Sequence, residues 1–321
     1  MDFNPVFFTN ELLANAIVRR ASDIHLHPKK NTVLIRFRID GQLQIYNELS
    51  IDSFPSILNR LKVLSNLGTG ANNLAQDGRF SFTQDSNQQD LRISIIPSLY
   101  GESVVIRILN TKENIPKLED LGMTDETLKN TLALLNKQEG LIIATGATGS
   151  GKTTTMYALL ARLFSEKPFF HVVSIEDPVE YQFPEFTQIQ VNDSQGLSFP
   201  IVLRSVLRHD PDVILIGEIR DQETAEIAVR AALTGHLVFA TMHTNDAESS
   251  IHRFIEFKIN PILLADCMLA VYNQDLVPKK CHGCNGSGCE SCNQSGYLGR
   301  EAIFDCLIID TDKKEEIKKL S

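Results

Sequence analysis

No stretch of this 321-residue chain approaches the roughly 18 consecutive apolar residues of a membrane-spanning helix. The first twenty residues, MDFNPVFFTNELLANAIVRR, lack the basic start, apolar centre and small-residue cleavage site of a secretory leader. Both absences make the cytosol, where thiols stay reduced, the expected location. Basic residues are in the minority, 31 Lys and Arg against 40 Asp and Glu, and they form no run dense enough to track a phosphate backbone. Arg19-Arg20 and Lys29-Lys30 read as solvated faces, so direct binding to nucleic acid is not expected. No internal repeat or low-complexity tract is present. Ordinary apolar (43%) and charged (22%) fractions describe a globular chain long enough for about two domains.

Two kinds of pattern are there instead. Residues 9–20 read as an amphipathic helix with Thr9 as N-cap and Leu12, Leu13, Ala16 and Ile17 on one face. NTVLIRFRID alternates, with Val33, Ile35, Phe37 and Ile39 on one side, and Asp40-Gly41 predicts a hairpin into QLQIYNEL. A helix over SFPSILNRLKVLSNL and strands GRFSF, DLRISII and ESVVIRIL complete an α+β domain over 1–108. TKENIPKLEDLG makes 109–122 a linker. From 123 to 321 the pattern changes. LIIAT, VVSIED, VILIGE and LVFATMH are apolar, β-branched runs of the kind buried on both faces of a parallel sheet. Helical patterns at 152–165, 198–208 and 224–234 lie between them, which predicts an α/β domain. Helices are expected near 246–257 and 261–274, then a strand EAIFDCLII and a charged tail.

The strongest signal is LIIAT followed by GATGSGKT and a helical pattern. Gly146, Gly151, Lys152 and Thr153 fit G-x-x-x-x-G-K-[ST]. Such a loop, 146–153 with Thr154 after it, turns backbone N–H groups of Gly146, Ala147, Thr148, Gly149, Ser150 and Gly151 toward phosphates at a helix N-terminus. Lys152 would reach the β/γ-phosphates and Thr153 would offer its hydroxyl to Mg²⁺. A guanine-reading NKxD is missing after the loop; NKQE at 136–139 precedes it and lacks the Asp, so ATP is the expected nucleotide. VVSIED ends in Glu176 and Asp177, followed by Pro178 and Glu180, and ILIGE ends in Glu218. Carboxylates on strand tips beside a P-loop strand can converge on the γ-phosphate to hold the Mg²⁺ shell or position water. His243 ends LVFATMH at a third tip, where it could sense that phosphate.

GATGSGKTT, IEDPVEY, RHDPDVILIGEIRD and TGHLVFATMHTND, in that order, resemble the secretion ATPases of type II secretion and type IV pilus systems. The resemblance runs from ASDIHLHP to GYLGR. It implies a PAS-like N-terminal domain and a RecA-like P-loop ATPase domain, in a cytosolic homo-hexamer on the inner face of the membrane. Such a motor drives assembly of pilin-like subunits through an integral membrane platform protein. By the same resemblance Glu176 is the water-activating base and Glu218 the Mg²⁺-linked glutamate. His236 and His243 form the histidine motif, while Arg92, Arg107 and Arg300 are functional arginines.

Four of the six cysteines crowd into CHGCNGSGCESC. A disulfide knot is disfavoured in a reduced cytosol, and a redox C-x-x-C normally opens a helix beside a βαβ pattern. Two C-x-x-C knuckles joined by NGSG suit tetrahedral Zn²⁺. Cys281, Cys284, Cys289 and Cys292 are the expected ligands within an element at 278–300, with His282 as a substitute. Cys267 and Cys306 read as core residues. Assembly ATPases of the resembled family carry such an element, whereas retraction ATPases generally lack it. A short member with it resembles the competence pseudopilus ATPases that support DNA uptake in Gram-positive bacteria. A secretion or pilus assembly ATPase is the alternative, ahead of a nucleic-acid motor or a non-hydrolysing nucleotide-gated scaffold. Asp275 stands where the family usually has Arg. The chain ends soon after its last strand, so the resembled family's terminal helices are expected to be shortened or absent, which implies either weaker hexamer packing or a truncated chain.

Overall fold

Asn4 starts the fold. Its side-chain carbonyl accepts from the N–H groups of Val6 and Phe7 and caps helix α1 (Pro5–Val18) one turn earlier than the sequence suggests. Thr9, the expected cap, lies inside the helix instead, buried, its hydroxyl donating back to the Pro5 carbonyl at 2.7 Å. The computed structural model describes residues 3–70, 74–84, 87–111, 115–292 and 294–320. Parts of the expected linker (112–114), of the cysteine element (293) and of the tail (321) lie outside those residues. The chain divides into two units, 1–111 and 112–321. Among the described residues no helix is long and apolar enough to cross a membrane.

The first unit is an antiparallel sheet in the order β3-β2-β1-β6-β5-β4. Its strands are β1 (Asp23–Pro28), β2 (Thr32–Ile39), β3 (Gln42–Ser50), β4 (Gln76–Gln84), β5 (Asn87–Ser98) and β6 (Gly101–Ile108), with a two-residue β7 (Asn110–Thr111) after them. Helices α1 and α2 (Phe54–Leu64) supply Leu12, Leu13, Ala16, Ile57 and Leu61 to a core with Ile24, Leu26, Val33, Ile35 and Phe37. The expected alternation in β2 is present, and Asp40 and Gly41, both at positive φ, close its hairpin. β1 is central in the sheet, yet DIHLHP carries too many polar residues to read as a core strand. Only Ile24, Leu26 and Pro28 point to the apolar side; Asp23, though buried, faces the other way toward Arg38 and Arg107.

Strand pairing also builds something composition hides. Arg38, Asp23, Arg107, Arg92 and Arg79 lie opposite one another across five strands, which puts them in one row on one face. Asp23 takes Arg107 Nε at 3.0 Å and lies 3.8 Å from Arg38 Nε.

The second unit holds a seven-stranded sheet in the order β11-β9-β12-β13-β8-β14-β15. Its strands are β8 (Gly140–Thr145), β9 (Val172–Glu176), β11 (Thr187–Gln190), β12 (Val213–Ile216), β13 (Leu237–Thr241), β14 (Met268–Lys280) and β15 (Tyr297–Ile308); β10 (Tyr181–Gln182) is a separate short strand. All neighbours run parallel except β15, which returns antiparallel to β14. One face is covered by α3 (Asp125–Leu134) and α4 (Lys152–Glu166), the other by α5 (Phe199–Val206), α6 (Gln222–Ala232), α7 (Ala247–Glu256) and α8 (Pro261–Cys267). Leu118 and Leu121, within the expected linker, are buried in this unit's core.

The expected helix 261–274 stops at Cys267. From Met268 the chain is strand, because MLAVYNQ is buried between β8 and β15, and a short apolar run does not reveal its period. Helix α3 and edge strand β11 (TQIQ) had no distinct sequence signal. The tail forms α9 (Thr311–Ile317), capped by Asp310. Cys267 is in the core, as expected, whereas Cys306 is only half-buried.

Candidate functional site

Parallel strands aim their carboxyl ends at one edge of the sheet, and in open α/β sheets that edge binds ligands. Four adjacent strands, β9, β12, β13 and β8, deliver their ends here. They surround a cleft of about 300 Å³ lined by Thr148, Gly149, Lys152, Thr153, Glu176 and Glu218, with Arg220 and His243 at its side.

The loop after β8 forms as its glycines require. Gly146 sits at φ +134°, and a Cβ there would lie 2.3 Å from the Gln274 carbonyl oxygen. Gln274, on β14, is itself buried and accepts from Thr155 Oγ1 at 2.7 Å, so it forms the floor of the loop. Gly151 is the left-handed N-cap of α4. The Lys152 ammonium, nearly buried, is held by the carbonyls of Gly146 and Ala147 at 2.8 and 2.9 Å. Burial lowers its pKa, against the pull of Glu218 and Glu180. Ser150 Oγ is buried without a hydrogen-bond partner, a donor left over inside the loop. Arg300, from β15, brings Nη1 to 3.4 Å from the Gly149 carbonyl.

Glu176 is buried at the tip of β9. Its Oε1 accepts from Tyr157 Oη and Ser174 Oγ, both at 2.6 Å. Burial raises its pKa more than these donors lower it. Glu218, past the end of β12, pairs with Arg220 and has His243 Nε2 at 3.7 Å. Burial, then the nearby Lys152 charge, hold the His243 pKa below its usual value, while Glu218 opposes them. The hydrogen bond to Glu218 raises that of Arg220. At the tips of β8 and β13, Thr145 Oγ1 and Thr244 Oγ1 lie 2.6 Å apart, and Thr244 reaches Ser250 on α7.

The structure thus gathers the loop residues, Glu176, Glu218, His243 and Arg300 in the second unit. His236 is at the other end of β13, about 17 Å along the strand from the cleft, where its ring meets the Ala231 carbonyl. Arg92 and Arg107 are side by side on β5 and β6 of the first unit. Tyr157, Gln274 and Arg220 are neighbours that sequence reasoning missed. Only Arg220 left a trace, two residues after Glu218 in G-E-I-R.

At the β14–β15 turn the four expected sulfurs lie within 4.8 Å of one another. Cys281–Cys289 and Cys284–Cys292 are 3.8 Å apart, and Cys289–Cys292 3.7 Å. Tetrahedral thiolates at about 2.3 Å from a zinc ion would be about 3.8 Å apart, so the donor set fits that ion. N–H groups of Gly288, Cys289 and Gly296 point at the sulfurs. Burial works against a thiolate at Cys292, but the Cys289 and Gly296 donors outweigh it and lower its pKa.

The sequence profile of a family described as Type II/IV secretion system protein matches residues 3–321. Type II secretion system protein HxcR of Pseudomonas aeruginosa is 42% identical over 97% of this chain and 67% of its own length. Type IV pilus assembly ATPase PilB of Thermus thermophilus is 38% identical over 97% of this chain, which spans 38% of PilB. Type II secretion system protein E of Dickeya dadantii is 40% identical over 94% of this chain and 65% of its own. The crystal structure of the pilus retraction motor PilT with bound ADP is similar, with TM-score 0.71 and 30% identity, over 97% of this chain and 85% of that one. The Legionella pneumophila ATPase DotB shares the fold, with TM-score 0.76 and 23% identity, over 98% of this chain and 84% of that one.

Proposed function

The chain belongs to the Type II/IV secretion system protein family, and from that premise we propose that it is the ATP-hydrolysing motor of a machine that assembles pilin-like subunits. The supporting observation is the meeting of the phosphate loop, Glu176, Glu218 and His243 in one cleft at the carboxyl ends of four adjacent strands. In this reading the loop N–H groups and Lys152 bind the β/γ-phosphates. Lys152 is prepared for this by lying against two carbonyls that a phosphate would replace. Thr153 and Glu218 would hold Mg²⁺, which when bound offsets phosphate charge. Glu176 takes a proton from the attacking water, and His243 reads the γ-phosphate through its contact with Glu218. Arg300 steadies the loop through Gly149. Arg92 and Arg107 are assigned by the resemblance alone to neutralising phosphoryl charge. A ring of six copies acting on a membrane platform protein belongs to the same proposal.

Lys152→Ala is expected to abolish steady-state ATP turnover; wild-type turnover in that variant would refute the motor. The machine we assign is the competence pseudopilus for DNA uptake, supported by the four-cysteine element through the resemblance drawn above. Lys152→Ala at the native locus should then eliminate transformants and leave protein secretion intact. Loss of secretion with normal transformation would place the motor in type II secretion instead.

Zn²⁺ is the ion proposed for the cysteines. Mass spectrometry of the purified chain should find one zinc per chain, and Cys284→Ser should release it. Zinc content unchanged by that substitution would remove the site.

A further inference from the structure

Behind Glu176 lies a chain of hydrogen bonds with only one possible direction. It starts at Gln188 on β11. The Gln188 Oε1 accepts from the Phe183 N–H at 2.8 Å, and Nε2 donates to the Tyr181 carbonyl at 2.8 Å. Exchanging the two ends of the amide would set N–H against N–H and oxygen against oxygen, so its orientation is locked. The second hydrogen on Nε2 is left for Tyr157 Oη, 2.6 Å away. That hydroxyl, accepting one bond, sends its own hydrogen onward to Glu176 Oε1. Ser174, two residues back on the same strand, donates to the same oxygen. Tyr157 and Ser174 are fully buried and Glu176 nearly so, so water does not compete for these bonds. Burial also keeps Tyr157 protonated, by raising its pKa.

We propose that Gln188, Tyr157 and Ser174 are positioning residues that act through Glu176, a one-way relay that turns one carboxylate oxygen inward and favours the ionised form. This rests on the reading of Glu176 as the base. Two hydroxyl donors on one oxygen stabilise negative charge that burial alone would discourage. Tyr157 lies on α4, the helix that also begins with Lys152, so the same helix presents the phosphate-binding ammonium and orients the base. Other charged groups face the same cleft: Glu180 and Asp177 after β9, Lys152 on α4, Glu218 and Arg220 after β12, and His243 after β13. Substituting the relay leaves all of them in place.

The test is the pH profile of steady-state ATP hydrolysis by the full chain, comparing wild type, Tyr157→Phe and Ser174→Ala. Losing a donor to the carboxylate raises the pKa of the base, so the acid limb should move to higher pH. Expected is about a tenfold fall in kcat at the acid end and less than about threefold on the alkaline plateau, with KM for ATP unchanged. Gln188→Leu should move the limb the same way and less. A profile that superimposes on wild type, or a fall equal at every pH, would overturn the relay. Ser174→Ala reads the relay from the strand side should Tyr157→Phe fold poorly. Glu176→Gln separates the two ideas: wild-type turnover in that variant defeats the base assignment itself, whereas loss of turnover with unshifted Tyr157→Phe and Ser174→Ala profiles defeats only the relay.

Discussion

Glu176→Gln is expected to bind ATP as the wild type does and to hydrolyse it about 100- to 10,000-fold more slowly. The substitution changes little else. A Gln carbonyl can still accept from Tyr157 and Ser174, so the packing at the tip of β9 survives. What is lost, in the role proposed for Glu176, is a lone pair basic enough to take the water's proton. Fluorescent-nucleotide binding and phosphate release, measured on one preparation, separate the two properties. The pH dependence has a definite sign. In the proposed role of Glu176 as base the ionised carboxylate is the working form, so activity is expected to be full above its pKa and to decline as pH falls through it. Burial raises that pKa, hence the decline begins at higher pH than for an ordinary glutamate near 4.3. In Glu176→Gln that limb disappears from the residual rate.

Gly146→Ala is expected to weaken nucleotide binding at least about 100-fold, while Gly149→Ala weakens it roughly fivefold. Both glycines have positive φ, +134° and +80°, so each alanine carries backbone strain of about 1–3 kcal/mol. Their surroundings differ. A Cβ at 149 meets nothing within 4 Å. A Cβ at 146 would be 2.3 Å from the Gln274 oxygen and 2.8 Å from Ser150 Oγ, so either the loop or strand β14 has to move. Titration calorimetry with ADP on both variants checks the ranking. Equal affinities would mean that Gln274 is not a rigid floor.

The phosphate loop was legible because its chemistry is local: four residues of fixed type between a strand and a helix. The parallel strands were legible because burial on both faces leaves unbroken apolar runs such as LIIAT and VILI. Other parts depend on partners distant in the chain. β1 is polar on alternate positions and is recognisable as central only once β2 and β6 flank it. MLAVYNQ could be helix or strand until β8 and β15 claim it. Tyr157 looks like one more apolar residue of an amphipathic helix, and its hydroxyl acquires meaning only where β9 ends. The arginine row is invisible in composition because each strand contributes a single member.

Strand β14 extends over 13 residues, carrying Gln274 beneath the phosphate loop and ending one residue before Cys281. Its return partner β15 leaves the cysteine knuckles and carries Arg300, opposite Pro278, to the loop's outer side. The hairpin is thus a clasp whose tip bears four clustered thiols and whose arms flank the phosphate loop from below and outside. Loosening the tip should soften the cradle, and filling the cradle should tighten the tip. Should the four thiols hold a metal ion, as proposed, reciprocity requires that any effect of the ion on nucleotide affinity be matched by an equal effect of nucleotide on ion affinity.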